Sequence, residues 1–285
     1  MLKQRVITAL VLLLFLLPAL FHHDTVYWRL ITLIMIAAAA WEWGVLNGLS
    51  RAASVALGAL AMLGCVAAWG LGLLAQQLTT LWIFAGGLWV LAGTWLLRAG
   101  VPGWALIPRG LRVIGGWCVL VLSWLAIVQA REIGVTFLLS VMLLVWMADI
   151  AAYFAGKAWG VRFIKRRLAP TISPGKSWEG ALGGLVGVLL LAGIWLALES
   201  GGVLAPPSLY GHVLARGGMG LMLLVVVFMT AMSVAGDLVE SLVKRSAGMK
   251  DSSQLLPGHG GVLDRVDALL PTLPLGMMFY TLFLQ

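Results

Sequence analysis

The chain has 285 residues, of which 61% are hydrophobic and 11% are charged, and its formal net charge is +8. Its mean hydropathy of +1.01 excludes an ordinary soluble globular domain and makes the bilayer the expected solvent. The basic excess does not indicate a nucleic-acid partner, because the Lys and Arg residues lie beside apolar runs, where they favour contact with anionic bilayer lipid.

Apolar runs recur along the whole chain. A helix needs roughly 20 apolar residues to cross about 30 Å of hydrocarbon, so these runs predict an all-α fold, a polytopic membrane bundle of about nine transmembrane helices. The runs cover residues 5–21, 26–46, 53–75, 79–97, 112–130, 134–156, 180–198, 217–236 and 268–284. The first run begins with Lys3 and Arg5, as a secretory signal peptide would, but no small-residue cleavage pattern follows it, which favours a retained helix.

The distribution of basic residues predicts the orientation of the bundle. If the N-terminus is cytosolic, sixteen of the nineteen Lys and Arg residues lie on the cytosolic side, and only Arg29, Arg131 and Arg216 lie outside. Because cytosolic loops are enriched in basic residues, we expect a cytosolic N-terminus. The two long polar segments, 157–179 and 237–267, are then also cytosolic.

Reactive side chains are distributed unevenly along the chain. Residues 1–130 hold five runs with short links, and we predict that they form a transmembrane scaffold. Residues 131–285 hold every cluster of reactive side chains and are predicted to form the catalytic region. Cys65 and Cys118 both lie inside apolar runs, so we interpret them as small core residues rather than as a disulfide or a metal site.

Asp149 is the first polar residue of note in the second region. It lies inside the sixth run, eight residues before Lys157, and therefore about 12 Å below the cytosolic end of the predicted helix. An acid at such a depth indicates a functional role by default, while a structural pairing with a neighbouring helix is the alternative.

The segment Gly175-Lys176-Ser177 suggests a phosphate-binding P-loop. That motif requires a glycine five residues before Gly175, where this chain has Pro170, and it requires a preceding strand. We therefore reject it. The remaining interpretation is a basic loop that leads into the seventh run, whose glycines have the small-xxx-small spacing of closely packed helices.

A second polar cluster begins where the eighth run ends. The helix is predicted to continue, and its spacing brings four polar side chains to one face: Asp237, Glu240, Ser241 and Lys244. At the start of the ninth run, Asp264 and Asp267 are spaced to project together from a helix. Carboxylates near the bilayer are costly, and hard divalent cations prefer such oxygen ligands, so a metal site is favoured over a merely solvated loop. Solvation alone would explain Glu240 or Lys250 equally well.

A glycine-rich turn, Pro257–Gly261, lies between these acids. Its glycines allow backbone N–H groups to approach an anion closely, and the predicted helix that follows presents its positive end to the same place. Four basic residues of the same segment supply balancing charge for phosphoryl oxygens: Lys244, Arg245, Lys250 and Arg265.

These residues carry a family resemblance. The segment Ser241–Asp267 resembles the signature of the phosphatidate cytidylyltransferases, with S-x-x-K-R, K-D, P-x-H-G-G and D-R-x-D in the family's order. Family-like residues also occur earlier, at Asp149, Tyr153, Ser173, Pro174, Lys176, Glu179 and Gly180. Gly175 departs from the pattern, because a second lysine is usual at that position.

The resemblance implies a helical membrane enzyme that transfers CMP from CTP to phosphatidic acid, forms a homodimer and works at the cytosolic face of a bacterial inner membrane. It implies Mg²⁺ and leaves open a second, monovalent cation such as K⁺. The catalytic residues would be Asp237, Asp264, Lys244, Arg245 and Arg265, with metal held by Asp237, Asp264 and Asp267. Substrate would be bound by Lys176, Ser173, Ser241, Lys250, His259, Gly260, Gly261 and Asp149. Asp267 either binds metal or orients Arg265, and His259 is a phosphate or loop contact rather than a base.

Two other classes of protein share some of these features. A transporter or channel should show paired, interrupted helices in two halves, whereas here the acids are predicted to cluster on one side of the membrane. A CDP-alcohol phosphatidyltransferase should carry D-G-x-x-A-R, which this chain lacks. A polyprenol kinase stays open as an alternative on physical grounds alone.

Overall fold

The computed structural model describes residues 2–283, without the side chains of three residues near the N-terminus: Leu2, Lys3 and Arg5. The contribution of Lys3 and Arg5 to the predicted orientation lies outside the described residues, as does the last residue of the ninth run.

Helices make up most of the described chain. They are α1 (Leu2–Phe21), α2 (Val26–Leu46), α3 (Arg51–Gly70), α4 (Thr79–Leu106), α5 (Arg109–Ile133), α6 (Val135–Trp159), α7 (Trp178–Ser200), α8 (Leu209–Ser246), α9 (Leu263–Val266) and α10 (Leu269–Leu282). A 3₁₀ helix (Leu73–Ala75) precedes α4, and two short strands, β1 (Arg167–Ala169) and β2 (Ser173–Ser177), form an antiparallel hairpin between α6 and α7.

The predicted helical membrane fold is confirmed. Among residues 2–283, each of the nine apolar runs lies largely in helical structure, and seven helices, α2 to α8, are long and apolar enough to cross a membrane. The described apolar part of α1 (Val6–Phe21) is shorter than these seven, and so is α10, with 14 residues. The side of the membrane on which the N-terminus lies stays a prediction.

Small residues hold α6 and α7 together, as the glycine spacing of the seventh run predicted. A Cβ atom at Gly183 would lie 2.1 Å from the Cβ of Ala155, and one at Gly187 would lie 2.5 Å from the Cβ of Ala151. Any larger side chain at these positions would push the two helices apart. The glycines therefore allow the first half of α7, and the hairpin that precedes it, to lie close to α6.

Helix α8 is the longest element and carries much of the polar cluster. Its backbone is kinked at Gly218, which has φ 70° and ψ −179°, and the helix then continues to Ser246. It contacts α4, α6, α7 and α10. Helices of residues 1–130 therefore pack directly against the second region, while the assignment of the two regions to scaffold and catalysis stays a prediction.

Two local features differ from the expectation. The segment 157–179 was expected to be a loop, but residues 167–177 form the hairpin. The start of the ninth span is interrupted between α9 and α10, where the Asp267 carboxylate accepts the Ala268 N–H at 2.7 Å. A side chain that takes up a nearby backbone N–H in this way competes with helical hydrogen bonding.

Candidate active site

A cavity of about 440 Å³ lies between α6, α7, α8 and the hairpin. Asp149 of α6, Lys176 of β2 and Asp237 of α8 all line it. The Lys176 Nζ atom lies 2.5 Å from Asp237 Oδ2, and the two side chains are 28% and 26% exposed. The structure thus brings together three residues that are far apart in sequence and that the sequence assigned to one site.

The hairpin positions Lys176 at this cavity. Its strands pair Arg167 with Ser177 and Ala169 with Ser173. Ser177 then caps α7, because its Oγ accepts the Gly180 N–H at 3.1 Å. Lys176 is therefore held between a paired strand and a capped helix end. A flexible loop would position it less firmly.

Glu179 and Arg245 bind backbone groups in and beside the hairpin. The buried Glu179 carboxylate accepts three backbone N–H groups of the preceding loop, from Val161 (3.1 Å), Phe163 (2.9 Å) and Ile164 (2.8 Å). The Arg245 Nε donates to the carbonyl oxygen of Ile172, at the hairpin turn, over 3.4 Å. Both side chains therefore serve the local backbone in this structure.

The last turns of α8 have the predicted helical pairing. Ser241 Oγ donates to Asp237 Oδ1 at 3.3 Å, and Lys244 Nζ lies 2.5 Å from Glu240 Oε2, both pairs being four residues apart. Glu240 is buried, with 4% of its surface exposed, so the interpretation of this acid as a solvated charge is wrong. The same Lys244 Nζ lies 2.5 Å from Asp264 Oδ1.

Asp264 is held by hydrogen bonds on both oxygens. Besides the contact with Lys244, its Oδ2 accepts Ser252 N (2.9 Å), Ser252 Oγ (2.9 Å) and Gly261 N (2.8 Å). Burial opposes ionisation of this carboxyl, but the hydrogen bonds from Lys244, Gly261 and Ser252 outweigh burial and lower its pKa to about 2. Asp264 is therefore a charged residue with its partners already in place.

The glycine turn accommodates this carboxylate closely. Gly260 has φ 83°, and a Cβ atom there would lie 2.6 Å from Asp264 Oδ2. The turn is closed by hydrogen bonds from Leu256 N to Gly260 O and from His259 N to Leu256 O, each 2.8 Å long. Here the Gly261 N–H donates to a protein carboxylate, Asp264. A phosphate contact at Gly260 or Gly261 stays a prediction.

Three other predicted residues lie around the turn. Arg265 donates from its Nη2 to the His259 carbonyl oxygen at 2.8 Å. The His259 Nδ1 atom is buried and has no hydrogen-bond partner among the described residues. Lys250 is exposed beside Asp251, as the solvated interpretation of Lys250 expects. Substrate contacts of all three stay predictions.

Glu42 is the residue of this region that sequence reasoning missed. It lies in α2, is fully buried, and accepts hydrogen bonds from Ser252, Ser253, Val262 and Leu263. The signal was present, because Glu42 is an acid inside an apolar run, which is the argument that singled out Asp149. Its partners lie more than 200 residues away, so the sequence around Glu42 does not predict them.

The carboxylates at the cavity are suited to a cation, although they do not form a finished site. Among residues 2–283, no three His, Cys, Asp or Glu side chains are grouped closely enough to hold a metal ion. Asp149 and Asp237 nevertheless line one cavity. A Cβ atom at Gly236 would lie 2.7 Å from the Asp267 carbonyl oxygen, so the Asp267 backbone lies against the turn of α8 that carries Asp237. Mg²⁺ is usually bound by one or two carboxylates together with substrate phosphates, so this set of oxygen donors fits such an ion.

A model of the cytidylyltransferase family matches residues 3–283. The chain belongs to the cytidylyltransferase family. Two relatives of this cytidylyltransferase are phosphatidate cytidylyltransferases: one from Pseudomonas aeruginosa, 38% identical over 96% of this chain and 95% of the relative, and one from Haemophilus influenzae, 35% identical over 98% and 99%. The resemblance predicted from the segment Ser241–Asp267 is confirmed and extends over nearly the whole chain.

Proposed function

We propose that this cytidylyltransferase transfers CMP from CTP to phosphatidic acid, producing CDP-diacylglycerol and pyrophosphate. The observation that carries the proposal is the cavity at which Asp149, Lys176 and Asp237 meet. Its acids suit a metal ion and its lysine suits a phosphate. The phosphatidate cytidylyltransferases that match along almost their full length support the same reaction.

The reaction requires little covalent chemistry from the protein. A phosphate oxygen of phosphatidic acid attacks the α-phosphorus of CTP, the bond from that phosphorus to the β-phosphate bridging oxygen breaks, and pyrophosphate leaves with the electron pair. Since the attacking phosphate is already ionised, no general base is needed. Lys176 and Lys157, which line the same cavity, would orient the phosphates and balance their charge.

Of the three predicted metal ligands, Asp237 is the one best placed to hold Mg²⁺, because it lines the cavity, whereas Asp264 and Asp267 are not among the residues that line it. Asp267 is the second candidate. Asp264 would have to release Lys244 before binding a metal, because its oxygens already have four close partners. When bound, Mg²⁺ would neutralise charge on the triphosphate and on the leaving pyrophosphate. A second, monovalent cation such as K⁺ is part of the proposal.

The lipid substrate would enter from the side of the bundle. Tyr153 lines the cavity and is also 63% exposed, and its neighbour Phe154 is 64% exposed, so this face of α6 connects the cavity with the surroundings of the bundle. CTP would enter from the cytosol. The proposed setting is therefore a bacterial inner membrane with the site and the N-terminus on the cytosolic side, and the proposed assembly is a homodimer.

One assay tests the reaction. The purified protein in mixed micelles with CTP, phosphatidic acid and Mg²⁺ should release pyrophosphate and form a CDP-lipid, and chelation of Mg²⁺ should stop it. Addition of K⁺ to a K⁺-free assay tests the second cation. Absence of product with CTP, together with phosphorylation of a lipid alcohol by ATP, would instead favour a polyprenol kinase.

Labelling tests the orientation, and cross-linking tests the assembly. A Lys250→Cys variant of a chain whose own cysteines are replaced should react with a membrane-impermeant maleimide in inside-out vesicles and be protected in right-side-out cells. The reverse pattern would contradict a cytosolic site. Cross-linking in the membrane should give a species of twice the chain's mass.

A further inference from the structure

Glu42 makes an unusual set of contacts for an acid in the first half of the chain. Its Oε1 accepts Ser253 Oγ (2.5 Å) and Val262 N (3.0 Å), and its Oε2 accepts Leu263 N (2.7 Å) and Ser252 Oγ (3.2 Å). Both oxygens are therefore engaged twice. All four donors belong to residues 252–263, the segment that contains the glycine turn.

A role confined to holding α2 in the bundle does not explain this arrangement. A buried carboxylate requires full hydrogen bonding, and none of these four donors lies in α2 or in the long helices α1, α3 and α5 that contact it. Only Leu263 belongs to a helix that contacts α2, the short α9. The contact is also tight, because a Cβ atom at Gly261 would lie 2.3 Å from Glu42 Oε1 and 2.1 Å from Ser252 Oγ. The turn is shaped around the carboxylate.

Ser252 connects Glu42 with Asp264. The Ser252 Oγ atom lies 3.2 Å from Glu42 Oε2 and 2.9 Å from Asp264 Oδ2, and it is fully buried. Since a hydroxyl has one proton to donate, the two carboxylates share a single donor. Asp264 in turn contacts Lys244 of α8, two turns beyond Asp237. A continuous polar chain thus runs from α2 to the helix that lines the cavity.

We propose that Glu42 is a positioning residue for the cytidylyltransferase reaction: it fixes the segment 252–263 so that Asp264 holds Lys244 of α8, the helix that carries Asp237 to the cavity. The expected effect of Glu42 on turnover rests on the proposed function, whereas its expected effect on cation binding does not. Groups that orient the residues of a metal or catalytic site typically change affinity or activity about 10- to 100-fold when they are mutated.

Glu42→Gln is the most direct test, because it keeps the shape and replaces one acceptor oxygen by a donor NH₂ that faces a backbone N–H. We expect kcat to fall about 10- to 100-fold and the affinity of the free protein for Mn²⁺, followed by its paramagnetic resonance signal, to fall by a comparable factor. Glu42→Asp keeps the charge on a shorter side chain and should give an intermediate loss.

Gln129→Ala provides the matched control. Gln129 is buried in the same half of the chain and makes three hydrogen bonds, but only to Trp82, Leu73 and Gln76. This variant should unfold at a lower temperature with kcat and Mn²⁺ affinity unchanged. A Glu42→Gln protein that loses thermal stability but keeps wild-type kcat and Mn²⁺ affinity would overturn the proposal.

Ser252→Ala keeps the test decisive if Glu42→Gln does not fold. It removes only the shared hydroxyl and keeps the hydrogen bond from the Ser252 N–H to Asp264. Like Glu42→Gln, it should lower both kcat and Mn²⁺ affinity. Unchanged values in this variant would also overturn the proposal. A wild-type protein that makes no CDP-lipid contradicts the proposed function, whereas the Mn²⁺ measurements still decide the role of Glu42.

Discussion

Gln129 in the first region and the Lys176–Asp237 pair in the second illustrate two different uses of polar groups. Gln129 is buried and has only protein partners: it accepts Trp82 Nε1 at 3.1 Å and donates to two backbone carbonyls. In residues 131–285 the Lys176–Asp237 pair is partly exposed and lines a cavity. Polar groups with protein partners on every side stabilise the fold, whereas a partly exposed pair at a cavity can exchange its partner for a ligand.

Two residues have hydrogen-bond partners in the other region of the chain. Glu42 belongs to the first region, yet all its partners lie in the second. Arg131 begins the second region, but it is buried and donates to the carbonyl oxygens of Leu20 (2.7 Å) and His22 (2.8 Å) near the end of α1. The predicted boundary at residue 130 therefore separates two stretches of sequence that remain joined by hydrogen bonds.

The largest effect is expected at the cavity, from Asp237→Asn. Removal of this charge takes away the predicted metal ligand best placed for Mg²⁺ and releases Lys176 from its partner. We expect pyrophosphate release to fall by at least about 100-fold, with the thermal unfolding midpoint changed little because the pair is partly exposed. A variant that keeps a tenth or more of the wild-type rate would remove Asp237 from the proposed site.

A smaller effect is expected from Gly261→Ala. Its new methyl group would lie 2.1 Å from Ser252 Oγ and 2.3 Å from Glu42 Oε1, so the turn must shift, at a cost of about 1–3 kcal/mol. We expect lower stability together with about a tenfold loss of turnover. Gly193→Ala in α7 is the matched control, because a Cβ atom there has no neighbour within 4 Å. It should leave turnover unchanged and should not lower stability, since alanine is the better helix former.

The sequence predicted the helices and the convergence of Asp149, Lys176 and Asp237 for separate reasons. Apolar runs of spanning length identify helices because no other open backbone structure satisfies its hydrogen bonds in lipid. The convergence followed from the orientation argument and from the family resemblance. Neither type of argument depends on knowing which helices are neighbours.

The structural features that the sequence did not predict depend on contacts between distant segments. The strand Ser173–Ser177 contains Pro174 and Gly175, which are typical of loops and disfavoured in strands, and its partner β1 has only three residues. The partners of Glu42 lie 210 to 221 residues away. Such pairings are invisible to local periodicity, although the burial of an acid in α2 was a usable warning.

Gln129→Ala tests the first region by itself. Loss of this side chain leaves the buried Trp82 Nε1 without its acceptor and two carbonyl oxygens without a donor, which should lower the free energy of unfolding by about 1–3 kcal/mol. Turnover measured well below the unfolding temperature should be unchanged. A loss of turnover greater than the loss of folded protein would mean that polar groups of this region other than Glu42 also influence the site.

The smallest effect is expected from the ion pair of Arg29 with Glu132. Arg29 donates from Nε (3.2 Å) and Nη2 (2.7 Å) to Glu132 Oε1 and lies 5.1 Å from the ring of Trp69. Partly exposed pairs contribute about 0.2–1 kcal/mol, so Glu132→Gln should lower the free energy of unfolding by no more than that. Arg29→Met should cost slightly more, because it also removes the contact with Trp69. A double-mutant cycle isolates the energy of the ion pair. A coupling energy well above about 1 kcal/mol would mean that this pair between α2 and α5 stabilises the fold as much as the buried hydrogen bonds of Gln129 do.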